Sequence, residues 1–146
     1  MSVRIGVVGV GRIGKMHAEI IAHKIDNAEL AGVFDVNDES ASVVSRELHV
    51  PALSLESMLA DRSIDAIAVC SSTDTHVSTI EMAAQAGKAI FCEKPISLDL
   101  DQVDRALAAI AEFKVPFMVG FNRRFDPSHA AVRRAVADGA RSEEHT

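Results

Sequence analysis

Two short stretches carry residue types at spacings that could do chemistry. The first is Gly9-Val10-Gly11-Arg12-Ile13-Gly14, a G-x-G-x-x-G pattern set between an apolar run and a stretch of helical spacing. There Gly9 permits a tight turn, Gly11 lets a pyrophosphate approach the backbone, and Gly14 lets helix and strand pack closely. The helix start at Arg12 and Ile13 offers unpaired N–H groups and the positive end of the helix dipole to phosphates. The second stretch is "FCEKPISLD", residues 91–99, where Lys94 stands between Glu93 and Pro95 just after a short apolar run. A lysine so placed can hydrogen-bond the reacting oxygen of an alcohol and stabilise the charge that develops as hydride leaves. Pro95 restricts the backbone of Lys94 and so helps fix where its side chain starts. From spacing alone, a solvated charge at a strand end remains an equal reading of Lys94.

These residues need a frame, and the apolar runs supply one. Residues 3–8, 30–34, 66–70, 89–92 and 115–119 read as buried strands. Between them, residues 13–23, 38–48, 75–86 and 100–113 carry helical spacing, which predicts an α/β fold with a Rossmann-type, doubly wound parallel sheet. In the last helix Leu100, Val103, Leu107 and Ile110 form one stripe, opened by a capping box of Asp99 and Gln102. Gly87 is placed to end the helix before it in a left-handed cap. Residues 50–60 are ambiguous, because Pro51 allows at most a short edge strand before a helical turn.

In such a sheet a ligand lies outside the carboxyl ends of the strands. Asp35 ends the second strand about 20 residues beyond the glycine loop, where a carboxylate can accept hydrogen bonds from an adenosine ribose. The same charge would repel a 2′-phosphate, so NAD is favoured over NADP. Ser71-Ser72-Thr73 with His76, Glu93-Lys94, and Asn122-Arg123-Arg124 fall at the other strand ends. A methyltransferase or flavin enzyme can also use a glycine loop and an acid, so the loop by itself does not establish hydride chemistry.

Composition excludes other classes. The 146 residues are 48% apolar, enough for one well-filled core. A net charge of −6 with only two Arg doublets gives no polybasic patch, so no nucleic-acid partner is expected. No apolar run reaches the ~18 residues of a membrane span, so no membrane partner and a cytoplasmic location are expected. Cys70 and Cys92 lack the spacing of a zinc site; they read as buried free thiols, and no metal is expected.

"VVGVGRIGKMHA", "EKPISLD" and "GFNRRFDP" together resemble the amino-terminal part of the glucose-fructose oxidoreductase/inositol dehydrogenase (Gfo/Idh/MocA) family, from residue 3 to about residue 138. The resemblance implies that Lys94 contacts substrate and cofactor and takes part in catalysis, and that Glu93 lies beside the nicotinamide side of the cofactor. It implies cofactor contact by Ser72 or Thr73, a positioned His76, and a substrate pocket faced by Arg124, with Asn122 a further candidate. The plainer alternatives stay open: His76 packs at a helix start, Arg124 pairs with Asp126, and His17 and His23 are structural or exposed. The implied activity is NAD-dependent oxidation of a polyol, myo-inositol to 2-keto-myo-inositol, by a homotetramer. Another sugar or cyclitol dehydrogenase is the alternative, as is a non-catalytic NAD-binding sensor.

Family members are much longer, and their second domain supplies an aspartate and a histidine spaced D-x-x-x-H, the histidine resembling a general base. Here His129 and His145 follow Phe125 and Arg141 instead. The expected organisation is a dinucleotide-binding domain over 1–120, the start of a truncated second domain over 121–140, and a non-native tail over 141–146. The tail "RSEEHT" is what aga-tcg-gaa-gag-cac-acg, a common short-read sequencing adapter, encodes. Nucleotide binding without turnover is expected of such a chain.

Overall fold

Apolar runs too short to pack as helices become the strands of one sheet. β1 (Val3–Val8), β2 (Ala28–Phe34), β3 (Ala66–Val69), β4 (Ala89–Cys92) and β5 (Phe117–Val119) alternate with helices. These are α1 (Arg12–Lys24), α2 (Asp38–Leu48), α3 (Leu55–Ala60), α4 (Thr73–Gln85) and α5 (Leu100–Phe113). A 3-10 turn (Asn122–Phe125) and α6 (Pro127–Ala137) follow. The computed structural model describes residues 2–139, and the tail expected over 141–146 lies outside them.

All strand pairs are parallel, in the order β2-β1-β3-β4-β5. The chain winds outward from β1 to β2, then returns to the other side of β1 for β3. That reversal opens a crevice above the ends of β1 and β3. The register makes the geometry explicit, because Phe34, Val8, Val69, Cys92 and Val119 lie in one row across the sheet. The next residue of each strand is therefore Asp35, Gly9, Cys70, Glu93 and Gly120, which together form the carboxyl rim.

Alternation along the strands feeds two cores. Val7, Leu30, Val33 and Ala68 point toward α1 and α2 with Ala18, Ile21 and Val44. Val8, Ile67, Val69, Ile90 and Cys92 point to the other face, with Met58, Val77, Ile80, Ala84 and Ala106 of α3, α4 and α5. The doubly wound fold is thus as expected. Among the described residues no helix is long and apolar enough to cross a membrane.

Several local expectations hold, and two need correction. Gly87 takes the left-handed conformation (φ 71°) just past α4. The ambiguous segment makes one parallel bridge, Val33 with Ala52, and then α3, capped by the Ser54 side chain. The capping box does not form. Asp99 accepts from the Asp101 N–H, but the Gln102 carbonyl accepts from Arg105 instead of reaching back to the cap. The stripe on α5 is also rotated, with Leu100 and Leu107 at 80% and 45% exposure and Ala106 fully buried. The crowded α4–α5 contact accepts the small side chain and turns the larger ones outward.

Candidate functional site

The glycine loop is shaped by collisions that side chains would cause. Gly9 has φ 85°, and a Cβ there would meet the backbone of Ser71 at the end of β3. A Cβ at Gly14 would strike the Gly9 carbonyl, so the helix comes closest to the strand turn at this point. Gly11 differs: a Cβ would meet nothing, because the residue opens onto the crevice. Gly11 also caps α1 without any side-chain hydrogen bond, leaving the first-turn N–H groups facing outward.

The crevice encloses about 610 Å3. Gly9, Gly11, Arg12 and Ile13 line one wall, Asp35 and Val36 one end, and Ser71, Ser72 and Thr75 the other wall. Leu55 and Met82 add apolar surface. Of the residues expected to touch a cofactor, Gly14, Thr73, His76 and Glu93 are not among its lining residues. Gly14 acts through packing, and His76 lies one layer beneath.

Asp35 does more than wait for a ligand. Its Oδ2 accepts from the Val10 N–H at 2.8 Å and its Oδ1 from the Asn37 N–H at 2.9 Å. The carboxylate thus staples the glycine loop to the β2–α2 turn while retaining lone pairs that face the crevice. These features suit a dinucleotide. Bare N–H groups at the start of α1 match a pyrophosphate, Gly11 leaves room for it, and Asp35 matches ribose hydroxyls.

Lys94 follows the rim residue Glu93 at the end of β4 and is exposed; its ammonium has no hydrogen-bond partner among the described residues. The Lys94–Pro95 peptide is cis. Both flanks of Lys94 are tied down by histidines. Glu93 Oε1 meets His17 Nε2 of α1 at 2.8 Å, and Glu93 Oε2 accepts from the Lys94 N–H at 3.2 Å. His17 also packs edge-on against Phe91, with ring centroids 5.2 Å apart. On the other side, the buried His76 places Nδ1 2.8 Å from the Pro95 carbonyl and Nε2 2.9 Å from the Ser71 carbonyl. A carbonyl only accepts, so each contact asks for an N–H, and a neutral ring supplies one at a time.

His17 is the neighbour of the rim that sequence reasoning missed. The signal was present, since His17 shares the inward face of α1 with Gly14, Ala18 and Ile21, and a polar group turned inward must find a partner. His23 instead lines a groove between α1 and α2. Cys70 and Cys92 are free thiols, as expected, but only Cys92 is fully buried; Cys70 is half-buried and lines the crevice. Burial first, and then the charge of Glu93, push both up to about 12.

Asn122 and Arg124 sit on the 3-10 turn past the sheet. Arg123, Arg124, Phe125, His129 and Arg133 line an open pocket of about 400 Å3 that shares no lining residue with the crevice. Among the described residues Arg124 makes no ion pair with Asp126. That carboxylate caps α6 through the Ser128 and His129 N–H groups and pairs with His129.

A doubly wound sheet with a glycine loop, a stapling acid and a crevice at the strand reversal defines a dinucleotide-binding domain. Comparison with known proteins makes this specific: residues 3–121 match the Gfo/Idh/MocA model, described as an oxidoreductase family with an NAD-binding Rossmann fold. The chain belongs to this family.

Its relatives include inositol 2-dehydrogenase of Rhizobium meliloti (strain 1021), 45% identical over 139 residues, which are 95% of this chain and 42% of the relative. Myo-inositol 2-dehydrogenase of Thermotoga maritima is 39% identical over 97% of this chain and 43% of its own. Among solved structures, scyllo-inositol dehydrogenase from Lactobacillus casei, with bound NAD(H) and scyllo-inositol, has a TM-score of 0.89 at 36% identity. That match covers 95% of this chain and 42% of the other. The chain therefore spans about two fifths of the length of these relatives.

Proposed function

We propose that the chain is the nucleotide-binding part of an NAD-dependent polyol dehydrogenase whose substrate is an inositol. The observation that carries this reading is the rim row itself. Asp35, the glycine loop and the β3–α4 turn line a continuous crevice, and Lys94 stands beside the next rim residue along. A dinucleotide with its adenosine at Asp35 and its pyrophosphate at Gly11 to Ile13 then runs toward Glu93 and Lys94.

NAD, when bound, would supply the hydride acceptor for the carbinol carbon of the polyol, and the hydroxyl proton would pass to a general base such as the histidine that the family resemblance places in the second domain. The Lys94 ammonium donates a hydrogen bond to the hydroxyl oxygen being oxidised and stabilises its developing negative charge. Glu93 borders this end of the site. Asn122 and Arg124 approach the polyol from the turn after β5, and Ser72 is closer to the phosphates than Thr73. In this reading residues 1–120 form the nucleotide domain, residues 121–140 begin a second one, and the intact protein is a cytoplasmic homotetramer. The chain alone binds nucleotide without turnover. Within the polyol class the first reading is myo-inositol and the second is another cyclitol, supported by the scyllo-inositol named for the Lactobacillus casei structure.

Calorimetric titration with NAD and with NADP tests the proposal. Saturable NAD binding with NADP at least about tenfold weaker is expected, since the 2′-phosphate would meet the Asp35 carboxylate. Binding of neither nucleotide, or a preference for NADP, would overturn it.

A further inference from the structure

We propose that His17 is a positioning residue for Lys94, acting through Glu93, so that α1 sets both the phosphate end and the reacting end of the dinucleotide site. The inference rests on the reading that Lys94 faces the nicotinamide. It adds a residue to which that reading gives no role.

Three observations carry it. First, α1 presents its uncapped N-terminus to the crevice, and one turn further along the same helix His17 bonds Glu93. Second, Glu93 has little else to hold it. Among the described residues the remaining polar contact of its carboxylate is the long bond from its own neighbour, the Lys94 N–H, and the carboxylate rests on the bare Cα of Gly120 at the end of β5. Third, the far flank of Lys94 is already fixed, because the Pro95 carbonyl is held by the buried His76. The His17 bond therefore governs the looser flank.

Released from His17, the Glu93 carboxylate can turn toward the adjacent Lys94 ammonium and occupy the donor that the reacting oxygen needs. The same turn draws the ammonium away from the nicotinamide end of the cofactor, which Lys94 is expected to contact. Both effects fall on the nicotinamide half of the ligand and spare the adenosine half, which is bound three strands away at Asp35.

The test compares NAD with ADP-ribose, which shares everything but the nicotinamide, by calorimetric titration of the 146-residue chain. His17→Leu keeps the packing on Phe91 and removes the hydrogen bond. His17→Gln places an amide N–H about where Nε2 stands. The expected result is NAD binding about fivefold weaker in His17→Leu and ADP-ribose binding unchanged within about twofold, with His17→Gln restoring NAD binding.

Equal weakening of both ligands would make His17 merely structural and overturn the proposal. So would identical behaviour of the Leu and Gln variants, or NAD binding unaffected by either. If the unsubstituted chain binds NAD and ADP-ribose equally, the positioning role falls while the dinucleotide site stands. If it binds neither, the functional reading falls as well.

Discussion

Replacing Asp35 by alanine separates the use the fold makes of this carboxylate from the use a ligand would make of it. Val10 is only 5% exposed, so once Oδ2 is removed its N–H has no water to turn to. Such an orphaned donor costs about 1–3 kcal/mol. Asn37 is exposed, and water replaces Oδ1 at a cost of about 0.5 kcal/mol. The total is about 1.5–3.5 kcal/mol, and at ~3–4 °C per kcal/mol for a domain of this size Tm should fall by about 5–14 °C. This loss appears with no nucleotide present. Asp35→Asn should do little better, because its amide offers one acceptor and sets an NH2 group against the other backbone N–H. Thermal unfolding of the ligand-free variants, paired with NAD titration, gives the readout. A Tm within about 2 °C of the parent, together with loss of NAD binding, would refute the staple and leave Asp35 as a ligand contact alone.

The remaining predictions concern a buried lysine, the two thiols and a helix cap. Lys88 is 6% exposed and donates to the Asp61 and Ile64 carbonyls at 2.6 and 2.8 Å, tying the start of β4 to the loop before β3. Lys88→Met keeps the stem and strands the Ile64 carbonyl, while the Asp61 carbonyl keeps the Ile64 N–H, so stability should fall by about 2 kcal/mol in denaturant titration; a loss under about 0.5 kcal/mol would contradict the Lys88 bonds. With both thiols pushed up to about 12, Cys70 and Cys92 should resist iodoacetamide at about pH 8 in the native chain and react on unfolding. Rapid native labelling of Cys70 would show that it is less enclosed than described. Asp126 is held below its ordinary value of 3.8 by hydrogen bonds with His129 and then Ser128. Its contribution to capping α6 is therefore complete above that value and is lost as pH falls through the depressed one. The Ser128 and His129 amide NMR signals should titrate at lower pH than an ordinary aspartate would cause; a midpoint at or above the ordinary value would count against the cap.

Local chemistry made much of the nucleotide site readable from the chain. Gly9, Gly11 and Gly14 are spaced by the geometry of one turn, and Asp35 follows from the length of one strand-helix-strand unit. The alternation of apolar runs and helical stretches likewise determines a parallel sheet before any contact is known. What escaped depends on how distant segments meet. The His17–Glu93 bond spans 76 residues and exists because β4 lies two strands from β1, beneath the face that α1 covers. The two carbonyls at His76 belong to different rim loops and become neighbours through the sheet order alone. The α5 stripe failed for a related reason. Periodicity locates an apolar face, but the tightness of the neighbouring helix decides which of its members are admitted, and Ala106 outranks Leu107 there.

The two margins of the sheet are not equivalent. On the β2 side the segment around Ala52 exchanges backbone hydrogen bonds with Val33, and a Cβ on Gly32 would strike Leu53. A strand arriving there must first displace residues already seated. On the β5 side only three residues are paired to β4, and Met118 remains 48% exposed. The bridge covers only the Val33 end of β2, so the obstruction is local: a strand adding to that margin meets seated residues at one end, whereas along β5 it meets none among the described residues.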